Sequence, residues 1–191
     1  MDKHTQTEMR PDGKSRQEKD PAGEYLRAGE ELLAKGEWDE AQKKFEEART
    51  LDPDNPLIYN KIGVTFAERQ KFSEAKEYFE KALALDPRFA TACNNLGNIY
   101  YEQKQYEDAV AAYQQALTIN PDHAGAHHNL GVAYKKMGDL AKAIPLLKKA
   151  VRLERDQLKM EVKTRQNRSI NYLIWVLGIL AAIYLLFLLK R

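Results

Sequence analysis

The feature that most limits the possible folds is a repeat of 34 residues, which runs four times without interruption from residue 22 to residue 157. Every unit has glycine at its eighth position and alanine at its twentieth and twenty-seventh positions, and its twenty-fourth position is large and apolar. The units are 22–55, 56–89, 90–123 and 124–157. A unit this short cannot bury an apolar face by itself, so the units are expected to stack on one another.

Each unit has the pattern of two helices separated by a short break. In the third unit Leu96, Ile99 and Tyr100 recur at helical spacing before the break, and Ala109 and Tyr113 do so after it. An Asp-Pro or Asn-Pro dipeptide closes each of the first three units, and the residue before a proline avoids the α region. The sequence therefore predicts an all-α fold of stacked helical hairpins.

These positions resemble the tetratricopeptide repeat (TPR), whose 34-residue pattern has glycine at position eight, alanine at twenty and twenty-seven, and proline at thirty-two. The resemblance covers residues 22–157. It implies a right-handed superhelical solenoid of four helix-turn-helix repeats, in which the first helices line a concave groove that binds proteins. The family's tryptophan at position four is absent, and the residues found there are Tyr25, Tyr59, Cys93 and His127.

The resemblance also implies which side chains line the groove, namely those at positions two, five, six, nine, twelve and thirteen. The implied peptide-binding residues are Asn60, Lys61, Asn94, Asn95, Asn98, Tyr101, His128, Asn129 and Lys135. Asparagine costs about half a kcal/mol relative to alanine in a helix, so five asparagines on first helices suggest a purpose. Amides suit the N–H and C=O groups of an extended peptide. Packing between helices is the alternative interpretation.

The C-terminal residues differ in character from the repeats. Residues 170–189 are 20 residues without a charge, and a helix rising about 1.5 Å per residue would span the roughly 30 Å hydrocarbon core of a bilayer with them. They predict a single transmembrane helix, followed by Lys190 and Arg191. Within it, Gly178 and Ala182 form a pair of small residues that predicts a weak contact between two copies of the chain.

Residues 158–169 connect the last repeat to this segment. They contain no proline or glycine, so we expect the final repeat helix to continue through them and cover the end of the stack. A hinge over residues 166–169 is the alternative. The segment carries four basic residues against one acidic residue, and basic residues beside a span favour the cytoplasmic side and anionic lipid. These are Lys159, Lys163, Arg165 and Arg168.

Residues 1–21 are polar, with charges of both signs, and predict a disordered tail without a signal peptide. The expected topology is a tail-anchored protein whose repeats face the cytoplasm, at a bacterial inner membrane or at an organelle outer membrane in a eukaryote.

The net charge of +2 hides a difference between the two ends of the repeat region. The four repeats carry net charges of −5, +1, −3 and +4 in chain order, so the first is acidic and the last is basic. The near-neutral total predicts no nucleic-acid partner.

The sequence offers little material for catalysis. The one cysteine, Cys93, excludes a disulfide framework and falls at a packing position. His123, His127 and His128 lie close together, yet they lack the further ligands of a metal site. We therefore expect no cofactor, no metal and no enzymatic activity. The predicted function is a membrane-anchored adaptor that binds an extended peptide, with a scaffold acting through its outer faces, or a targeting subunit of an enzyme, as alternatives.

Overall fold

A computed structural model describes residues 20–189, and the described part of the chain is all-helical, as predicted. Each 34-residue unit contributes two helices in the first three repeats, and the fourth contributes one short helix and one long helix. The helices are α1 (Pro21–Ala34), α2 (Trp38–Leu51), α3 (Pro56–Glu68), α4 (Phe72–Leu85), α5 (Ala90–Glu102), α6 (Tyr106–Ile119), α7 (Ala124–Lys136) and α8 (Leu140–Leu189).

The eighth and twenty-fourth positions of a repeat meet inside its hairpin, which explains why one is glycine and the other is large. In the second repeat, a Cβ atom placed on Gly63 would lie only 2.6 Å from Cε1 of Phe79. In the fourth, a Cβ atom on Gly131 would lie 2.8 Å from Cγ of Leu147. Glycine therefore lets the apolar side chain of the second helix lie against the backbone of the first helix, without a void.

The prolines end the second helices as predicted, because the preceding residue adopts an extended conformation. Asp52, Asp86 and Asn120 are the C-terminal caps of α2, α4 and α6, and each directly precedes a proline. The first helix of the second repeat, α3, is preceded by its N-cap Asn55, whose side chain accepts a hydrogen bond of 3.1 Å from the backbone N–H of Leu57. This bond satisfies one of the N–H groups left open at a helix start.

The turn inside each hairpin uses a left-handed residue at position fifteen, a constraint that the repeat pattern alone did not reveal. Glycine fills this position in the first and last repeats, where Gly36 has φ +78° and Gly138 has φ +84°. In the middle repeats Gln70 and Lys104 adopt φ values of 57° and 63°. The geometry of the turn is thus constant, although the residue that provides it changes.

The chain divides into two compact units, one ending at Ile99 and the other beginning at Tyr100, so that the boundary falls within α5. The first unit has a buried cluster at the junction of the first two repeats, composed of Ala41, Phe45, Ala48, Ile58 and Ile62. The second unit has one between α6 and α7, composed of Ala109, Tyr113, Leu130 and Ala133. In both clusters the alanines are small residues that allow two helices to approach closely.

The last helix, α8, runs without a break from Leu140 to Leu189 and passes through Pro145. Residues 166–169, where a hinge was the alternative, lie inside this helix. In residues 158–169, for which we predict a covering role at the end of the stack, the apolar side chains of Leu158 and Val162 are exposed. The extension projects beyond the last hairpin, since an uninterrupted helix cannot fold back onto it.

The predicted membrane segment is helical in its backbone, while most of its side chains, including those of Gly178 and Ala182, lie outside the described residues. Within the part of the chain that is described, no helix combines the length and apolarity needed to cross a membrane. Residues 1–19 of the predicted N-terminal tail and the terminal residues 190–191 also lie outside the described residues. Asp20 is described and caps α1, accepting a 2.9 Å hydrogen bond from the N–H of Gly23.

Candidate functional site

The candidate site is the polar face of the first helices, and in the first unit much of it is used for internal contacts. Asn60 and Asn94 are 3% and 7% exposed. The side-chain N–H of Asn95 on α5 donates to Oδ1 of Asn60 on α3 over 2.9 Å, and Asn94 donates to Oδ1 of Asn95 over 3.5 Å. These amides therefore connect two successive first helices.

This burial changes the roles of two predicted groove residues. Asn60 and Asn94 cannot present their amides broadly to a ligand, so for this pair the packing interpretation describes what the structure shows. A buried amide without a partner would cost about 1–3 kcal/mol, which is why the pairing matters. Asn95 and Asn98 on α5 are half-buried and retain access to solvent.

A salt bridge joins the same faces of α1 and α3. Nζ of Lys61, a predicted groove residue, lies 2.5 Å from Oε1 of Glu30. Both side chains are partly exposed, at 26% and 41% respectively, so the pair is accessible from solvent and contributes only about 0–1 kcal/mol to stability. Glu30 was not among the predicted site residues, although it occupies position nine of its repeat.

The second unit contributes the remaining predicted groove residues. Tyr101 is half-buried, and its ring meets that of Tyr106 edge to face at a centroid distance of 5.4 Å. On α7, Asn129 is half-buried, whereas His128 and Lys135 are exposed. The first-helix residues of this unit thus combine an aromatic surface, an amide and two potentially cationic groups.

The three neighbouring histidines do not act together. Nδ1 of His123 accepts a 3.1 Å hydrogen bond from the N–H of Ala126 and so caps α7. Burial lowers the pKa of His123 below its ordinary value, and this favours the neutral ring that can accept. His127 is buried, and its Nε2 lies 2.9 Å from the carbonyl oxygen of Pro121, whereas His128 is exposed. Among the described residues no three or more ligand-type side chains converge on a metal position.

The other groups with chemical potential lie apart from this face. Cys93 is buried, and burial raises the pKa of its thiol, so the neutral and unreactive form is favoured. The predicted basic residues beside the membrane segment are all exposed along α8. They are Lys159, Lys163, Arg165 and Arg168.

One structural role on α7 was missed by the sequence analysis. Sequence patterns did not reveal that His123 caps this helix, because histidine is not a usual N-cap residue.

The described residues define a helical-repeat protein in which each hairpin follows one pattern. Models described as "Tetratricopeptide repeat" match residues 26–88, 66–113 and 124–157, and one described as "TPR repeat" matches residues 97–138. Together these matches run continuously over all four predicted units. The chain belongs to the tetratricopeptide repeat family.

Solved TPR structures share this fold. PilF of Pseudomonas aeruginosa is 30% identical with a TM-score of 0.66, over 71% of this chain and 62% of PilF. BtubC of P. vanneervenii is 25% identical with a TM-score of 0.61, over 71% of this chain and 64% of that one. MamA of Desulfovibrio magneticus RS-1 is 25% identical with a TM-score of 0.59, over 74% and 80%. No curated relative matches the sequence. The repeats and these neighbours support a protein–protein interaction scaffold.

Proposed function

We propose that this protein is a non-catalytic, membrane-anchored adaptor that holds an extended segment of a partner protein against its first helices. The observation that carries the proposal is the accessible polar character of this face. Asn95 and Asn98 provide amides in the first unit, and Tyr101 and Asn129 provide an aromatic ring and an amide in the second. Amides can pair with both the donors and the acceptors of a peptide backbone.

The buried asparagines help to fix the orientation of the accessible amides that would bind a peptide. Asn60 holds the amide of Asn95 in a fixed orientation through their 2.9 Å hydrogen bond. A binding group that is already ordered loses less conformational freedom when a peptide arrives. In this proposal Asn60 and Asn94 orient the site, and the half-buried residues contact the peptide.

Site-specific photo-crosslinking in the native cell tests this proposal. A crosslinking amino acid at the exposed position of His128 should capture a partner. Replacing the nearby amide with Asn129→Ala should reduce the yield about tenfold if the lost hydrogen bonds amount to roughly 1.4 kcal/mol. The matched control is Asn167→Ala, which removes an exposed helical asparagine outside the repeats. Equal yields from the two variants would refute peptide binding at this face.

The membrane part of the proposal is supported by the sequence of residues 170–189 and by the unbroken backbone helix that leads into them. The full chain should stay with membranes during alkaline extraction, whereas a chain ending at residue 169 should be released. Protease added to vesicles with their cytoplasmic side outward should digest the repeats. Full protection of the repeats there would reverse the proposed orientation.

The proposal includes no chemistry by this chain itself. Its supporting observations are the buried Cys93 and the structural use of His123 and His127. A purified chain that turned over a substrate, with a rate that followed its concentration, would overturn this part. In that case the alternative of an enzyme subunit would need to be reconsidered.

A further inference from the structure

The helix α8 carries a stripe of exposed apolar side chains. Its members are between 50% and 63% exposed. They follow one another at spacings of four, seven, seven and four residues, and these spacings return to the same side of a helix. They are Leu140, Ile144, Val151, Leu158 and Val162. We call this set the α8 stripe.

The same repeat positions in α6 show what such a stripe can bind. Val110 and Leu117 occupy in the third repeat the positions that Ile144 and Val151 occupy in the fourth. In α6 they are half-buried and pack against the cluster that contains Leu130 of α7. The molecule therefore contains an example of this face covered by a helix, and α8 presents the equivalent face to solvent.

Charge indicates what kind of helix would fit the α8 stripe. Exposed basic residues lie along one edge of it, each one to four residues from a member of the stripe. They are Lys148, Arg152, Arg155 and Lys159, and we call this set the basic band. Opposite charges across an interface speed association and exclude unsuitable partners, so acidic residues beside the apolar positions of the partner would be complementary.

Three other occupants fit less well. Residues 140–169 carry nine basic and three acidic residues, so two copies of α8 side by side would repel each other. A lipid surface would require α8 to lie flat, yet the helix continues unbroken towards residue 170, from which Leu140 is about 45 Å distant along the axis at 1.5 Å per residue. The N-terminal residues 1–21 have only Met1 and Met9 as strongly apolar side chains.

We infer that the α8 stripe and the basic band together form a docking surface for an acidic amphipathic helix of a partner protein. The partner helix occupies on α8 the place that α7 occupies on α6. The α8 stripe and the basic band share no residue with the polar face of the first helices, so each set can be changed without altering the other. The full chain thus has two interaction surfaces, one for an extended peptide and one for a helix.

A designed helix tests this inference with the full chain in mild detergent. The probe is a fluorescent peptide of residues 122–138 that carries Lys135→Glu and Lys136→Glu. It keeps Leu130 and Ala133, which face α6 in the intact protein. Binding is measured by fluorescence anisotropy, and we expect it to weaken when salt rises from about 0.05 M to 0.5 M, because the basic band contributes.

Two matched variants locate the binding. Val151→Glu places a carboxylate in the α8 stripe, and Met160→Glu places one on the opposite side of the same helix, where the methionine is equally exposed. We expect Val151→Glu to raise the Kd about tenfold, since a carboxylate in the stripe would lose water on binding and would repel an acidic helix, and Met160→Glu to leave it within about twofold. Both side chains are exposed, so both variants should fold, which circular dichroism verifies.

Four results would overturn the inference. The first is absence of binding by the wild-type chain at millimolar peptide, and the second is an equal loss in both variants. The third is self-association, measured by sedimentation, that Val151→Glu abolishes, because it would identify a second copy as the occupant. The fourth is binding to anionic vesicles through the same residue, which would identify lipid. Failure of the peptide-groove proposal would leave all of these measurements unaffected.

Discussion

Helices α6 and α8 occupy the same place in successive repeats, but their outward faces have opposite environments. On α6 the apolar residues Val110 and Leu117 pack against the buried cluster between α6 and α7. On α8 the equivalent residues Ile144 and Val151 are 50% and 63% exposed. Both helices have the apolar spacing of a repeat, so the sequence of the helix alone does not determine which face is buried. The next hairpin determines it.

Each repeat makes two kinds of contact, one inside its own hairpin and one on its outward face. Contacts inside a hairpin, such as that between Gly131 and Leu147, form in every repeat whose glycine environment is described. Contacts on the outward face form only where another hairpin comes next in the chain. Substitutions at inner positions should therefore lower the free energy of unfolding by similar amounts in different repeats. Substitutions at outward positions should lower it only in a repeat that another hairpin covers.

The largest expected difference is between Leu117→Glu and Val151→Glu. Leu117 packs into a cluster, so a carboxylate there should reduce the free energy of unfolding by about 3 kcal/mol through lost burial and desolvation. Val151 is exposed, and its change should stay within about 0.5 kcal/mol. Urea denaturation of the full chain in detergent, followed by circular dichroism, measures both. Similar losses would show that the α8 face is covered in the free chain.

A second test concerns the inside of the hairpin and uses two glycines of the same helix, α7. A Cβ atom at Gly131 would lie 2.8 Å from Leu147 and 3.2 Å from the backbone oxygen of Ala143, so Gly131→Ala should cost about 2 kcal/mol from overpacking. At Gly125 the nearest atom would be 3.5 Å away, on His123. Gly125→Ala should therefore be neutral or should stabilise by up to about 0.5 kcal/mol. A neutral Gly131→Ala would contradict the close contact between the backbone of α7 and Leu147.

The turns that precede α6 and α8 offer a third test. Lys104 and Gly138 occupy the same left-handed position, with φ values of 63° and 84°. A residue with a Cβ atom is strained there, so Lys104→Gly should raise the free energy of unfolding by about 1 kcal/mol, and Gly138→Lys should lower it by a similar amount. Denaturation midpoints measure both changes. Two changes of the same sign would mean that the two turns are not equivalent.

The smallest expected effect concerns the start of α7, the helix that covers α6. His123 caps it in the neutral form, and burial lowers the pKa of His123 below its ordinary value of 6.5. Because the unfolded chain binds the proton more readily, this contribution to stability is complete above pH 6.5 and is lost as the pH falls through the lowered pKa. The pH dependence of unfolding should be weaker in His123→Asn, which keeps a capping side chain. An unchanged pH profile would assign the dependence to other groups.

Much of the fold could be predicted from the sequence, since the repeat pattern itself encodes packing. The glycine at position eight and the large residue at position twenty-four meet as neighbours, and the prolines follow the ends of the second helices. The all-α repeat fold and its family are confirmed. The left-handed turn was hidden because its position is glycine in only two of the four repeats, and side chains such as Gln70 conceal the shared geometry.

The candidate site was harder to predict because a position in a repeat does not specify how far its side chain is buried. Asn60 and His128 both occupy position five of their repeats and both belong to the implied lining, yet one is buried and the other is exposed. Their neighbours in adjacent repeats decide the difference, and the pattern of a single repeat does not contain that information. The accessible amides, and not asparagine content as such, are the residues to test for peptide binding.

The pairs that join neighbouring first helices also affect how a chain of similar repeats assembles correctly. Glu30 pairs with Lys61 of the next repeat, and Asn60 pairs with Asn95 of the one after. If the third repeat docked directly on the first during folding, Glu30 would face the amide of Asn95 instead of the ammonium group of Lys61, and Asn95 would face Leu26 instead of the amide of Asn60. Misassembled arrays that omit a repeat would thereby lose the ion pair and the hydrogen bond between the two amides, and such a bond contributes about 0.5–1.5 kcal/mol. Alanine and glycine make the repeats alike, and these polar pairs establish the order in which they stack.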